Sequence, residues 1–155
     1  MASWLIRARK HPFIEDAEMY AKRGQLMIER NVVIPPWDES DVLPDKKSFQ
    51  QLAAFKGRMK AGEFVVMVPK PEVRGDDSVA VGRIIGKAEL RTDLGDAPVW
   101  AHSVEWLKKG VAVSAFDPDI RATVENAVLD CCRIRPDDDP ADVAQRVLNV
   151  VRDDC

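Results

Sequence analysis

The stretch Lys60-Ala-Gly-Glu-Phe-Val-Val-Met-Val-Pro-Lys70 carries the clearest structural signal in the chain. Its apolar run Phe64–Val68 lies between a glycine and a proline, a pattern typical of a buried strand. A second apolar run, Val79–Ile85, follows the turn residues 74–77 and ends at Gly86. The two runs therefore predict two buried strands separated by a turn.

Other elements follow on both sides of these strands. Further strands are predicted at Trp4–Ala8, Leu26–Ile28, Val32–Ile34, Trp100–Trp106 and Val128–Ile134. Helical spacing of apolar residues predicts one helix from Pro12 that ends before Gly24, a second marked by Phe49 and Leu52, and a third from Pro140. The segment 114–120 is predicted to be a connection.

These elements predict an α+β fold, because the helices do not alternate regularly with the strands as they do in a parallel doubly wound sheet. We expect a curved, mostly antiparallel, barrel-like sheet with helices packed outside it. Residues 1–135 form the expected domain. Residues 136–155 form an acidic C-terminal helix, which packs on this domain or on a partner.

Composition and charge restrict the function. The formal net charge is −3, and much of the negative charge lies in residues 136–155, which hold six Asp against two Arg. This balance excludes a strongly electrostatic, sequence-blind coat for DNA but permits a module that grips one nucleotide. Three cysteines without framework spacing, no membrane span and no signal peptide predict a cytoplasmic protein without contact to membranes.

No motif for catalysis, a cofactor or a metal is present, so we expect a binding protein rather than an enzyme. The pair Asp117 and Asp119 flanks a proline and is typical of a turn rather than a metal site. His102 shares a strand face with Trp100 and Trp106, and we expect a hydrogen-bonded core residue there. The alternative is a general base, for which no orienting partner is evident.

Aromatic and basic residues near chain turns are the main candidates for binding. Trp37 follows two prolines and precedes acidic residues, where no core periodicity requires it, so it is either a stacking platform for a base or a loop anchor. Trp4 belongs to the core or to a pocket floor. Arg7 and Arg9 follow the first strand and Lys70 follows the Phe64–Val68 strand; each is a phosphate or base contact, or a solvated charge.

The segments Trp4–Ala8, Lys60–Lys70, Val79–Gly86 and Val104–Phe116 occur in an order and spacing that resemble the EVE-like domain of the PUA superfamily. Such domains occur at the N-terminus of Mrr-type restriction endonucleases. The likeness extends over about residues 3–135 and departs from the family in having Gly62-Glu63 where Gly-Asp is usual. No nuclease domain follows within this sequence.

The resemblance implies a β-barrel-like core with an aromatic pocket for a single, often modified, base that is flipped or unpaired. It implies a role in sensing DNA modification or in defence against phage, with DNA rather than RNA as the partner. A nuclease acting in trans and a second copy of the chain are the expected protein partners. The resemblance implies base or nucleic-acid binding by Trp37, Arg7 and Lys70, and we expect Arg9, Trp4 and Asp41 to contribute to the same site.

A non-enzymatic adaptor is the alternative function. In that case the C-terminal helix would bind a partner or a second copy through Val143, Val147 and Val151, which are spaced along one helical face.

Overall fold

The computed structural model describes residues 2–8, 17–35, 46–70, 73–94, 98–126 and 131–152. The described strands are β1 (Ser3–Arg7), β2 (Val32–Val33), β3 (Phe64–Val68), β4 (Ser78–Ile84), β5 (Glu89–Arg91), β6 (Val99–Ala112) and β7 (Cys131–Arg133). The described helices are α1 (Ala17–Arg30), α2 (Lys46–Gly57), α3 (Pro118–Asn126) and α4 (Pro140–Arg152), with a 3-10 turn at Val113–Ala115.

The strands form one seven-stranded sheet in the order β2-β6-β4-β3-β1-β7, and β5 also pairs with β6. Only β1 and β3 lie parallel among these pairs; each of the other pairs is antiparallel. The sheet curls into a half-barrel, which confirms the predicted α+β fold with a curved, mostly antiparallel sheet. β6 has 14 residues and pairs with three other strands, so it connects more strands of the curved sheet than any other described strand.

Both faces of the sheet are covered, which explains the near-continuous apolar runs in β1 and β3. On one face, Trp4, Ile6 and Met67 pack with Met27 of α1 and Phe55 of α2. The opposite face of the same strands packs against α3 and α4, through residues that include Leu5, Val66, Val68, Ile120, Val143 and Val147. The sheet therefore separates two apolar cores.

The first helix differs from its prediction. It continues through Gly24 to Arg30, and the residues 26–28, predicted as a strand, form part of it. Met27 is fully buried while Gln25 and Glu29 are exposed, so the helix presents one apolar side to the sheet. A short apolar triplet has no period of its own, and the prediction of a strand there was wrong for that reason.

α3 was predicted only as a connection, yet its N-terminus has a full set of capping contacts. The Oδ1 atom of Asp117 accepts hydrogen bonds from the backbone N–H groups of Asp119 and Ile120, each at 3.1 Å. Pro118 occupies the first helical position, where its missing N–H costs nothing. Asp117 is thus a helix cap, and its local hydrogen bonds are of the kind predicted for it, although they begin a helix rather than close a turn.

α4 begins as predicted, with Asp139 before Pro140. Oδ1 of Asp139 accepts a hydrogen bond of 3.2 Å from the backbone N–H of Ala141. Val143 and Val147 are buried against the sheet, so the apolar side of α4 packs on this chain's own core.

Candidate functional site

Trp4 lies in the core and not at a pocket floor. Its side chain is 3% exposed, and its indole Nε1 donates a hydrogen bond of 3.0 Å to Oε1 of Glu63. β1 lies between β3 and β7, so neighbouring strands enclose Trp4 on both sides. Of the two alternatives predicted for Trp4, the core or a pocket floor, this burial favours the core.

Glu63 is a buried carboxylate with a structural role. Besides the Trp4 indole, it accepts hydrogen bonds from the backbone N–H of Ala2 at 2.8 Å and from that of Lys60 at 2.7 Å. These three donors come from the start of β1 and from the turn before β3. Glu63 therefore joins the two parallel strands at the end where both begin.

Arg7 and Lys70 lie at the opposite end of these strands. Arg7 pairs in register with Val68, and the backbone N–H of Ala8 donates a hydrogen bond of 2.9 Å to the Val68 carbonyl. Lys70 follows two residues after Val68, so the sheet brings the backbone of Arg7 and Lys70 to one edge. Their side chains differ in exposure, because Arg7 is 8% exposed whereas the Lys70 side chain is 58% exposed.

The Lys70 ammonium lies 3.1 Å from Oδ1 of Asp77 across the turn that precedes β4. The backbone N–H of Arg74 and the Lys70 ammonium both donate to the Asp77 carboxylate and together hold its pKa below the ordinary value. Lys70 is thus positioned over the turn and still presents more than half of its surface to solvent.

The other predicted site residues, Trp37, Arg9 and Asp41, lie outside the described residues. The described chain reaches Pro35, whose carbonyl accepts a hydrogen bond of 3.0 Å from Nη2 of Arg23. Arg23 precedes Gly24, and Gly24 packs against Pro69. This series of contacts links Pro35, two residues before Trp37, to Pro69 next to Lys70.

A groove lies between α1 and the adjoining ends of β3 and β4, immediately beside Pro69. Its volume is about 450 Å³, and its lining residues are Gly24, Gln25, Ile28, Glu29, Met67, Pro69, Ser78, Val79, Ala80 and Lys109. The floor is mainly apolar, while Gln25, Glu29 and Lys109 stand at the exposed rim. A groove of this size accommodates a small flat ligand, since small-molecule pockets measure roughly 300–1,000 Å³.

Gly24 sets the shape of this groove. A Cβ atom at position 24 would lie 3.1 Å from the Cβ atom of Pro69, closer than most real contacts between such atoms. The glycine was predicted to end the helix, but its role is to let α1 pass close to the end of β3. The close approach also determines where the groove begins.

His102 is a buried residue of β6 whose ring lies between two backbone carbonyl groups. The ring is fully buried, with Nδ1 2.9 Å from the Gly86 carbonyl and Nε2 2.6 Å from the Phe55 carbonyl. Both nitrogens lie within hydrogen-bond distance of backbone carbonyl oxygens, and a neutral imidazole, which carries one N–H, donates to one of them. The buried ring is thus the hydrogen-bonded core residue that was expected. The ring ties the end of α2 and the break between β4 and β5 to β6.

One cation–aromatic contact was not predicted from the sequence. The Lys56 ammonium lies 4.5 Å from the centroid of the Trp100 ring, and Trp100 is partly exposed. Trp100 was assigned only to a strand face, and Lys56 belongs to a helix 44 positions earlier. The only sequence signal was the alternation of basic residues at Lys56, Arg58 and Lys60.

Within the described ranges, no three His, Cys, Asp or Glu side chains group closely enough to hold a metal ion. In the same ranges, no helix combines the length and the apolar character needed to cross a membrane.

Two solved structures are similar to this chain over most of its length. The crystal structure of protein Atu2648 from Agrobacterium tumefaciens is 16% identical, covers 98% of this chain and 92% of that chain, and has a TM-score of 0.43. The NMR structure of Rpa0253 from Rhodopseudomonas palustris is 12% identical, covers 95% of this chain and 92% of that chain, and has a TM-score of 0.40. No protein-family model matches the chain, and neither does any curated protein.

Proposed function

We propose that this protein recognises a modified nucleobase, flipped or unpaired, in a nucleic acid, with DNA as the preferred partner. The observation that carries the proposal is the groove of about 450 Å³ lined by Pro69, with Lys109 and Glu29 at its rim. An apolar floor suits the face of a flat heterocycle, and a lysine at the rim suits a neighbouring phosphate.

Each part of a nucleotide finds a chemically suitable contact in this arrangement. The thioether of Met67 and the ring of Pro69 form an apolar surface for the face of a base. In this proposal the Lys109 ammonium at the rim contacts a neighbouring phosphate, and so does Lys70, whose ammonium lies 3.1 Å from Oδ1 of Asp77 in this structure. The expected stacking of a base on Trp37, which lies outside the described residues, is part of this proposal, and stacking on an indole contributes roughly 1–3 kcal/mol per base.

The resemblance of the sequence to PUA-superfamily domains of the EVE-like kind supports the same function, and the curled, mostly antiparallel half-barrel is compatible with that fold. In this proposal the protein senses base modification without cutting, and a nuclease acts in trans. Sensing in defence against phage is the biological setting that the resemblance implies.

The adaptor function lacks a comparable observation. It requires the Val143, Val147 and Val151 side of α4 to be available, but Val143 and Val147 are buried on the sheet. We therefore propose no second function on that basis.

The test compares the binding of duplexes that carry one modified cytosine or adenine with the binding of unmodified duplexes of equal length. Gln25→Trp places a large ring at the rim of the groove, and it should abolish the preference for the modified duplex. Gln145→Trp is the matched control, because both glutamines are exposed and donate to a side chain four residues later in a helix. Equal affinity of the wild-type protein for all duplexes would overturn the proposal.

A further inference from the structure

Basic residues from two separate segments meet at the end of α2. The ring of His102 joins the carbonyl groups of Phe55 and Gly86, which brings Lys56 and Lys87, the residues that follow them, to one region of the surface. Phe55 lies in the last turn of α2, and Gly86 lies in the break between β4 and β5. The buried ring thus fixes the end of α2 and the segment after β4 next to each other, and both continue from there to the protein surface.

The turn before β3 adds two further cations to this region. The backbone N–H of Gly62 donates to the Ile84 carbonyl at 2.7 Å, and the N–H of Ile84 donates to the Glu63 carbonyl at 2.8 Å. These bonds fix the turn beside the end of β4. The α2-end surface therefore consists of Lys56, Arg58, Lys60 and Lys87, of which the last three are exposed.

Lys56 is engaged with other groups, so Arg58, Lys60 and Lys87 carry the charge that remains available on this surface. In the described part of the chain, no carboxylate forms an ion pair with Arg58, Lys60 or Lys87. Glu63 is buried and occupied by three N–H groups, while Glu105 pairs with Arg83 at 3.0 Å. Glu89 is the exposed acidic residue next to the surface. Three exposed cations beside Glu89, whose carboxylate also interacts with Arg91, contrast with the net charge of −3 for the whole chain.

Apolar side chains accompany these cations. Ile85 and Leu90 are 58% and 54% exposed, and they are the most exposed large hydrophobic residues in the described part of the chain. Trp100 pairs in register with Leu90 and lies under the Lys56 ammonium. Cations together with accessible apolar and aromatic side chains are the composition of surfaces that contact the phosphates and sugars of nucleic acids.

The distance to the groove fits a duplex. Ser78 at one end of β4 lines the groove, and Ile84 at the other end lies beside the α2-end surface. Six residue steps of about 3.3 Å separate them by about 20 Å. Half a turn of B-DNA measures roughly 17 Å along its axis, since a full turn is about 34–36 Å. The two sites are therefore separated along β4 by a length close to half a turn of B-DNA.

We infer that the α2-end surface binds the phosphate backbone of a nucleic acid, at a site separate from the groove. This inference rests on the proposed binding of nucleic acid, but it does not depend on the recognition of a modified base. Counterion release makes the number of phosphate contacts measurable, since each contact to duplex DNA adds about 0.9 to the slope of log affinity against log salt.

The experiment uses the full chain and an unmodified 25-base-pair duplex, titrated between 50 and 200 mM salt. The test variant Arg58→Glu/Lys87→Glu changes one cation in each segment. Its control, Arg133→Glu/Arg152→Glu, makes the same change of net charge at two exposed positions in β7 and α4. We expect the test variant to lower the salt slope by about 2 and to weaken binding at least tenfold at 50 mM salt, with the control close to the wild type.

The same titration with a modified duplex separates the two proposals. If the α2-end surface binds phosphates, the test variant loses affinity for both duplexes equally and keeps the wild-type preference between them. An unchanged salt slope in the test variant would overturn phosphate binding by the α2-end surface without affecting base recognition. This is the result expected if the surface binds an acidic protein instead. A wild-type protein without preference but with a slope that falls in the test variant would overturn base recognition alone. No binding by the wild type at 50 mM salt would overturn both.

Discussion

The indole Nε1 of Trp4 donates a hydrogen bond of 3.0 Å to Oε1 of Glu63, and both residues are buried. The bond joins strands that lie side by side in the sheet but 59 residues apart in the sequence. It shows how a tryptophan near the start of the chain becomes a core residue, because a buried indole N–H needs an acceptor. The same bond explains why an acidic residue, Glu63, stands directly before β3.

Removing this bond should destabilise the fold. Trp4→Phe keeps most of the buried ring but removes one donor from a buried carboxylate, so the free energy of unfolding should fall by about 1–3 kcal/mol. Urea unfolding measures the change, with Glu63→Gln and the double variant completing a mutant cycle. If the effects of Trp4→Phe and Glu63→Gln were simply additive, the two side chains would not interact as described.

Two glycines in helices should respond differently to alanine. Gly24→Ala places a Cβ atom 3.1 Å from that of Pro69, so we expect a loss of about 1 kcal/mol despite the better helix propensity of alanine. At Gly57 no atom lies within 4 Å of the added Cβ, so Gly57→Ala should be neutral or stabilising by up to about 1 kcal/mol. Thermal unfolding of both variants tests the pair. A stabilising Gly24→Ala would contradict the close contact between α1 and Pro69.

His102 should be required for the attachment of α2. His102→Leu removes the one ring N–H that is donated to the carbonyl of Phe55 or Gly86, and a buried carbonyl left without its donor costs about 1–3 kcal/mol. Hydrogen exchange of the backbone should accelerate in the last turn of α2 and around residues 84–88. Protection there equal to that of the wild type would show that the ring does not hold these segments.

The contact between α4 and the remainder of the chain should weaken in acid. A hydrogen bond from Arg135, together with the charges of Arg135 and Arg146, holds the pKa of Asp138 below its ordinary value of 3.8. A carboxyl group whose pKa is lowered by folding contributes stability above pH 4, and this contribution is lost as the pH falls through the lowered pKa. The melting temperature should therefore drop below about pH 4 in the wild type and drop less in Asp138→Asn. Parallel pH profiles of the two proteins would contradict this role.

The sequence predicted the sheet better than the helices that cover it. The strands at 64–68, 78–84 and 99–112 have apolar runs or alternation that is visible locally. α1 was shortened in the prediction because Gly24 resembles a helix end, whereas its packing against Pro69 is a tertiary contact. The parallel pairing of β1 with β3 joins segments some 60 residues apart, and no local pattern specifies it.

The binding residues were harder to predict, for the same reason. The position of Lys70 after a strand that ends in proline could be predicted, but its pairing with Asp77 depends on the turn geometry. Lys56 and Trp100 come together only through the docking of α2 on β6, which the ring of His102 stabilises. The groove likewise arises where α1 approaches the end of β3, and the sequence does not show how these two elements lie relative to each other.

The most direct test of the account is a binding titration of the wild-type protein, Gln25→Trp, Trp37→Ala and the control Gln145→Trp against duplexes with and without one modified base. We predict at least tenfold tighter binding of a modified duplex by the wild type and by the control, with the preference lost in the other two variants. Equal affinities of the wild type for every duplex, or a full preference retained by Gln25→Trp, would contradict base recognition in the groove beside Pro69.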